Sequence, residues 1–225
     1  MQYQTKTYRQ HIDAQGLTRF EVIEKESDLL VMADKNLYDK VLAHLLKYRT
    51  EIEAYIRNDP EFKSVQKPRR VRFDAPRIVK DIQRASRKAK VGPIAAVAGA
   101  ITEFVGKDLA PLSDELIIEN NGNIFLKINQ PRKYAIFTGN PIALEIEPAQ
   151  ESFGICSSSS GNADAVIVIA KSCSLADAAA RSIALEAADI EKALKKAKKI
   201  RGLDGVLIIK DDQIGALGKI NLIPA

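Results

Sequence analysis

Residues able to do chemistry are concentrated in the second half of this chain. The run Gly154–Asp164 sets Cys156, Ser157, Ser158 and two further serines between glycines and ends in Asp164. Glycines let the backbone come close to a ligand, and short hydroxyl side chains add donors, so such a run can surround an anion. Asp177 follows within Ala176–Ala180, where no bulky neighbour separates its carboxylate from a ligand or a metal. Upstream, Gly92-Pro93 turns the chain tightly into the small-residue segment Ile94–Gly106, whose N-terminus is a ready place for an anion; close packing of a ligand-free helix explains the same residues equally well. Cys156 has no base or cation beside it in sequence to lower its pKa, so a small buried residue is the simpler reading of it.

Composition narrows the classes. At 225 residues the chain is long enough for a proper core, and it is expected to form a single domain over residues 1–225. Its two cysteines suit a reducing compartment and have no metal-ligand spacing. His11 and His44, the only histidines, lie far apart, which argues against zinc sites and His-dependent triads. No stretch approaches the roughly 18–20 apolar residues of a membrane span. The start lacks an apolar signal region, so a cytoplasmic protein without membrane contact is expected. A net charge of +5 favours an anionic small-molecule partner without selecting nucleic acid. Lys67–Arg72 and Lys195–Lys199 are the only basic runs that would support nucleic acid, and they read as a solvated connector and a solvated helix face.

The elements that must position these residues follow from periodicity. Tyr3–Tyr8, Thr18–Val22 and Asp28–Ala33 read as short antiparallel strands, with His11 in a polar turn. Asp34 or Asn36 caps a helix to Asn58 with Leu37, Val41, Leu45, Leu46, Ile52, Tyr55 and Ile56 at helical spacing; His44 falls beside that stripe as a packing residue. Helices follow from Pro76 to Gly92 and over Ile94–Gly106. Asn120-Asn121-Gly122 joins the strands 115–119 and 123–128 in a hairpin, and a second hairpin spans 133–146 around Gly139-Asn140-Pro141. Gly154–Asp164 reads as a loop before the central strand Ala165–Ala170. Helices then begin at Leu175 and, capped by Asp189, at Ile190; strands 205–209 and 219–223 close the chain. This order makes an α+β fold, a mostly antiparallel sheet covered by helices.

Taken together, Val91–Ile101, Glu119–Ile124, Gly154–Ser158, Asn162–Val166, Ala176–Ala180 and Gly205–Gly218 resemble an uncharacterised small family of the ApbE-like superfamily, related to the magnesium-dependent flavin transferases. The resemblance runs in order over nearly the whole chain. It implies the ApbE-like fold and a cleft lined by these blocks. Gly92, Ala96, Gly99, Asn120, Gly122 and Asn123 would let a ligand approach, with Ser157 and Ser158 donating to its phosphate oxygens. In the flavin transferases an Asp in an Ala-Asp-Ala segment binds magnesium together with a Thr hydroxyl one helical turn later. Asp177 falls on that Asp and is the implied metal ligand, with Asp164 orienting the loop.

Three departures accompany the resemblance. Arg181, followed by Ser182, stands where the Thr hydroxyl is expected; Asn121-Gly122-Asn123 replaces Gly-Gly-Asp; and the Ser/Gly run is short. Either the site is degenerate or two short loops are missing from the chain, which predicts breaks near Ser160–Asn162 and Ala180–Arg181. The implied function is an ApbE-like protein with a cleft for a phosphate-bearing ligand, a flavin nucleotide with a divalent metal, the reaction being unknown. Two alternatives accompany it: an enzyme of sulfur assimilation and homocysteine formation, with Cys156 as sulfur carrier, and a binding protein without catalysis. Ala95, Ala96 and Ala98 would pack either in the core or against a second copy in a homo-oligomer.

Overall fold

The computed structural model describes residues 9, 12–138, 140–158 and 163–224. Eleven strands are present among them: β1 (Thr18–Glu24), β2 (Ser27–Ala33), β3 (Leu116–Asn120), β4 (Asn123–Lys127), β5 (Arg132–Thr138), β6 (Asn140–Ile146), β7 (Phe153–Ser158), β8 (Ala165–Ala170), β9 (Leu203–Lys210), β10 (Gln213–Gly218) and β11 (Leu222–Pro224). The helices are α1 (Tyr38–Asn58), α2 (Glu61–Ser64), α3 (Arg77–Ala89), α4 (Val97–Leu109), α5 (Cys173–Ala184) and α6 (Ile190–Ala197), with short 3-10 turns at Pro93–Ala96 and Ala110–Leu112. Eight strands form one antiparallel sheet in the order β1-β2-β3-β4-β7-β8-β9-β10, and β11-β6-β5 form a second.

Alternation along the strands of the large sheet sorts their side chains into two cores. Ile118, Phe125, Cys156, Val166, Val168 and Ile208 face the helices, and Ile117, Ile124, Ile155, Ile167 and Leu207 face the small sheet. The second face accounts for the unbroken apolar run that marks β8 as a central strand: it is covered on both sides, by helices and by a second sheet. The α+β fold, with its antiparallel sheet and covering helices, is therefore a three-layer arrangement.

On the helical side, α1 buries Val41, Leu45, Tyr48, Ile52 and Tyr55 at steps of three and four residues. Asn36 Oδ1 accepts the Tyr38 N–H at 2.9 Å, while Asp34 accepts the Asp114 N–H instead and ties two loops together. His44 sits against Asp108 at 2.9 Å, the packing role expected of it. Helix α6 begins on its Asp189 cap, which accepts the Lys192 N–H at 3.0 Å.

The expected elements fail in two places. The first half of the Ser/Gly run is no loop: Phe153–Ser158 is β7, an interior strand paired with β4 and β8. Ladders on both sides supply the hydrogen bonds that its small, polar residues do not advertise. A further strand, β10, lies where none was expected, between the strands read at 205–209 and 219–223. Gln213–Gly218 pairs back on β9, Gly218 turns the chain at φ 75°, and Leu222–Pro224 crosses to the small sheet beside β6. Helix α5 runs unbroken through Ala180–Arg181. Tyr3–Tyr8, His11, Gly139 and Ser160–Asn162 lie outside the described residues.

Half of the cations in the two basic runs are paired within the chain. Arg69 pairs with Asp59 and Glu61, Arg72 with Asp74, Lys195 with Glu191 and Lys196 with Glu186. Among the described residues no single helix is long and apolar enough to cross a membrane.

Candidate functional site

The β3–β4 hairpin is the best-anchored part of the region. Asn121 and Gly122 both have positive φ, 51° and 85°, as a two-residue turn between right-twisting strands requires. The fully buried Glu119 holds that turn from beneath, accepting the Gly122 N–H at 2.6 Å through Oε1 and the Arg9 Nε–H at 2.6 Å through Oε2. Arg9 also donates to the Asp28 carboxylate at 2.7 Å, so the charge cluster joins the N-terminal segment, β2 and the hairpin. A Cβ on Gly122 would lie 2.5 Å from Ser157 Oγ; without it, Ser157 packs flush and donates both its N–H (2.9 Å) and its hydroxyl (3.2 Å) to the Gly122 carbonyl. Tyr134 lies beneath, its phenol pushed up to about 12 by burial and by Glu119, against a hydrogen bond with Ser157.

Two further contacts connect the hairpin to the helices. Asn120 Nδ2 donates to the Ala98 carbonyl at 3.5 Å, and Asn123 Nδ2 donates to the Asn120 carbonyl at 3.1 Å. Asn123 Oδ1 is buried without a partner among the described residues. Behind α4, Gly99 N–H donates to Asp177 Oδ2 at 2.8 Å. A Cβ on Gly99 would come within 2.4 Å of the Cys173 carbonyl and 2.7 Å of Asp177 Cβ, so glycine is what allows α4 and α5 to meet here. Burial lifts Asp177 to about 7, and the Gly99 N–H only partly opposes this.

The remaining candidates lie elsewhere or are already engaged. Gly92 serves a protein contact, since a Cβ there would strike the Val65 carbonyl at 2.0 Å. Ala96 is fully buried in the core, and Ala98 lines a cleft. Asp164 is exposed and accepts the Asp211 N–H at 2.7 Å, closing the loop between β8 and the β9–β10 turn. Ser158 ends β7, half-buried and paired with Val166. Cys156 is sealed in the core and directs its thiol to the Cys173 carbonyl at 3.4 Å; burial pushes that thiol well above its usual range, and a neutral, enclosed sulfur is no nucleophile.

A cleft of about 650 Å³ opens between α1, the segment leading into α4 and the hairpin. Ile52, Ile56, Val97 and Ile101 line it with apolar side chains, Asn120 and Asn121 with amides, and the exposed Arg57 and Lys63 with cations. Among the described residues Arg57 and Lys63 enter no ion pair, whereas Lys25 and Arg49, which also line the cleft, are paired with Glu53. Of the ligand, metal and catalytic candidates named from the sequence, Asn120 alone lines this cleft; Gly99, Asp177, Gly122, Asn123 and Ser157 do not. Arg9, Glu119, Tyr134 and the cations of α1 carried no sequence signal, since single polar residues outside any motif look like surface.

A divalent cation does not fit Asp177 as the described residues stand. They contain no group of three His, Cys, Asp or Glu side chains able to share an ion. One Asp177 oxygen is already held by the Gly99 N–H, and the position one turn later is the cation Arg181.

The family described as "AbpE bacteria" matches residues 9–185. The chain belongs to that family. Relatives of the chain include "UPF0280 protein MJ1526" of Methanocaldococcus jannaschii, 36% identical over 220 residues with 88% of this chain and 89% of the relative covered. A UPF0280 protein of Methanococcus aeolicus is 36% identical over 217 residues, covering 87% and 88%. Among solved structures, the fold is similar to "Flavin Transferase ApbE from Vibrio cholerae" (TM-score 0.60, 13% identity, 92% of this chain and 97% of that one). It is also similar to the apo flavinyl transferase ApbE of Pseudomonas stutzeri (TM-score 0.55, 12% identity, 89% and 94%). The AbpE-family chain thus has the ApbE-like α+β fold.

Proposed function

We propose that this protein binds a phosphate-bearing small molecule, a flavin nucleotide, in the cleft between α1, the start of α4 and the β3–β4 hairpin. The observation that carries the reading is the mixed lining of that cleft. The apolar side chains of Ile52, Ile56, Val97 and Ile101 suit a flat ring system, the Asn120 and Asn121 amides suit its polar edge, and the exposed Arg57 and Lys63 suit a phosphate. Kinship of fold with flavin transferases points to the same ligand class. The compartment is the cytoplasm, where Cys156 and Cys173, both free and buried, stay reduced.

Titration calorimetry and thermal shift with FMN and FAD, each with magnesium and with EDTA, test this. A rise in melting temperature and a Kd that weakens at least about tenfold in an Arg57→Glu/Lys63→Glu variant are expected. No shift with either nucleotide at millimolar concentration would overturn the reading. A binding protein without catalysis is the second reading, favoured by Arg181 one turn after Asp177. Equal affinity with magnesium and with EDTA would select it; magnesium-dependent affinity would select a metal-assisted transferase, its further metal donors coming from outside the described residues.

A further inference from the structure

The polar side chains that line the cleft divide by whether the chain itself has used them. Lys25 and Arg49 pair with Glu53, and Arg49 also with Glu26. Ser27 is buried, and its hydroxyl oxygen accepts from Arg49 at 2.7 Å. The other neutral polar groups are the amides of Asn120 and Asn121, and they are linked in one direction only. The Ala98 carbonyl can only accept, so Asn120 must turn its NH2 group toward it, at 3.5 Å. The Asn120 Oδ1 then faces Asn121, whose own NH2 group donates to it at 3.3 Å. This relay ends on Asn121 Oδ1, which no donor among the described residues reaches, beside an N–H of the same amide that is still uncommitted. Asn121 is exposed, at φ 51° in a turn whose next N–H is held at 2.6 Å by the buried Glu119, so the backbone beneath this amide is fixed.

We propose that Asn121 is the specificity-determining residue of the cleft, its amide taking a ring edge on which an N–H stands beside a carbonyl. In an oxidised flavin that is the N3–H edge. This assignment rests on the nucleotide reading of the cleft and adds which part of the ring the hairpin recognises. An acceptor and a donor on one amide plane match a donor and an acceptor side by side, the bidentate pairing by which Asn reads the edges of bases. The oxidised isoalloxazine has a single ring N–H, at N3, between two carbonyls. A ring turned the other way would set its apolar dimethylbenzene edge against the amides and leave Asn121 Oδ1 with no donor in place of water. Arg57 and Lys63, which enter no ion pair among the described residues, remain for the phosphate.

Titration of the full chain with FMN and with 3-methyl-FMN, followed by flavin fluorescence, tests the proposal. The methyl group removes the one ring N–H and leaves the phosphate in place. Wild type should bind FMN about tenfold more tightly than 3-methyl-FMN, the worth of one net hydrogen bond. Asn121→Gly keeps the turn, because glycine adopts φ 51° freely. It should weaken FMN to the level of 3-methyl-FMN and bring the two ligands within about twofold of each other. Were the bulk of the methyl group the cause, the preference would survive in the variant. Equal affinity of wild type for the two ligands, or a preference that persists in Asn121→Gly, overturns the proposal, while FMN binding keeps the nucleotide reading standing. If FMN itself does not bind, both fall.

Discussion

Helices α4 and α5 exchange carboxylates across their interface, and the two exchanges are unlike. Glu103 of α4 reaches the start of α5, where one oxygen accepts the Ser172 hydroxyl (2.8 Å), the Ser174 N–H (3.0 Å) and the Ser174 hydroxyl (3.0 Å), and the other accepts Lys107 at 2.5 Å. Asp177 of α5 reaches the start of α4 and has the Gly99 N–H. Burial raises both carboxyls, but Lys107 and the α5 donors overcome it at Glu103, which is held below the usual range. At Asp177 burial wins, and the group sits at about 7. Both place negative charge at a helix N-terminus, so the helix dipole does not separate them; the number of donors does. Glu103 is a structural staple. Asp177 is left with capacity to spare.

The largest test of that contrast is Glu103→Ala, which strips the half-exposed Lys107 and three donors at the start of α5 of their acceptor. It should cost about 2–4 kcal/mol in urea unfolding, mostly from the donors left unsatisfied, and a loss below about 1 kcal/mol would mean the staple is not one. Gly99→Ala attacks the other exchange through packing. Its methyl meets a backbone carbonyl that cannot rotate aside, so about 1–3 kcal/mol should be lost and Asp177 displaced.

Asp177→Asn should act in the opposite direction, and pH reveals why. Asp177 titrates near 3.9 when unfolded and at about 7 when folded, so its contribution is favourable below the lower value and is lost as pH rises to the upper one. Removing the charge should therefore stabilise the protein by ~1–2 kcal/mol at pH 8, a figure reduced for a half-buried group, and by nothing at pH 4. Glu103 has the reverse sign: it supports the fold above about 4.3 and stops doing so as pH falls through its lower folded value. An Asp177→Asn variant less stable than wild type at pH 8 would show that the carboxylate is needed where it stands. The smallest effect is expected from Asn120→Ala, at the cleft. Stability should change by less than about 1 kcal/mol, while the affinity for a flavin nucleotide weakens about tenfold. Unchanged affinity would remove the hairpin amide from the binding surface.

Much of this was legible in advance. The apolar steps of α1, the Asp189 cap, the Asn-Gly hairpin and the double-sided apolar run of β8 each have one local explanation, and each is observed. What escaped reading shares a cause. Strand β7, with Gly154, Ser157 and Ser158 among its six residues, is held as a strand by its ladders to β4 and β8 more than by its own residue types. The Arg9–Glu119 pair joins positions 110 residues apart, and neither residue belongs to a motif. The candidate site divides the same way. Gly99 and Asp177 were singled out separately, and folding brought them within hydrogen-bond distance; Ser157 and Gly122 likewise met, but to bind each other. Asp164 and Cys156 had the right types and the wrong surroundings.

By itself the sequence determined the family, the fold class and most element boundaries, because periodicity, caps and turns are local and leave their mark on neighbouring residues. Only the tertiary structure decided which polar groups are engaged. A carboxylate held by four donors and one held by a single N–H look alike in a string of letters, and so do a serine on a ligand and a serine on a glycine carbonyl. Hydrogen bonds and burial are made between distant parts of the chain, and they set what each group is able to do.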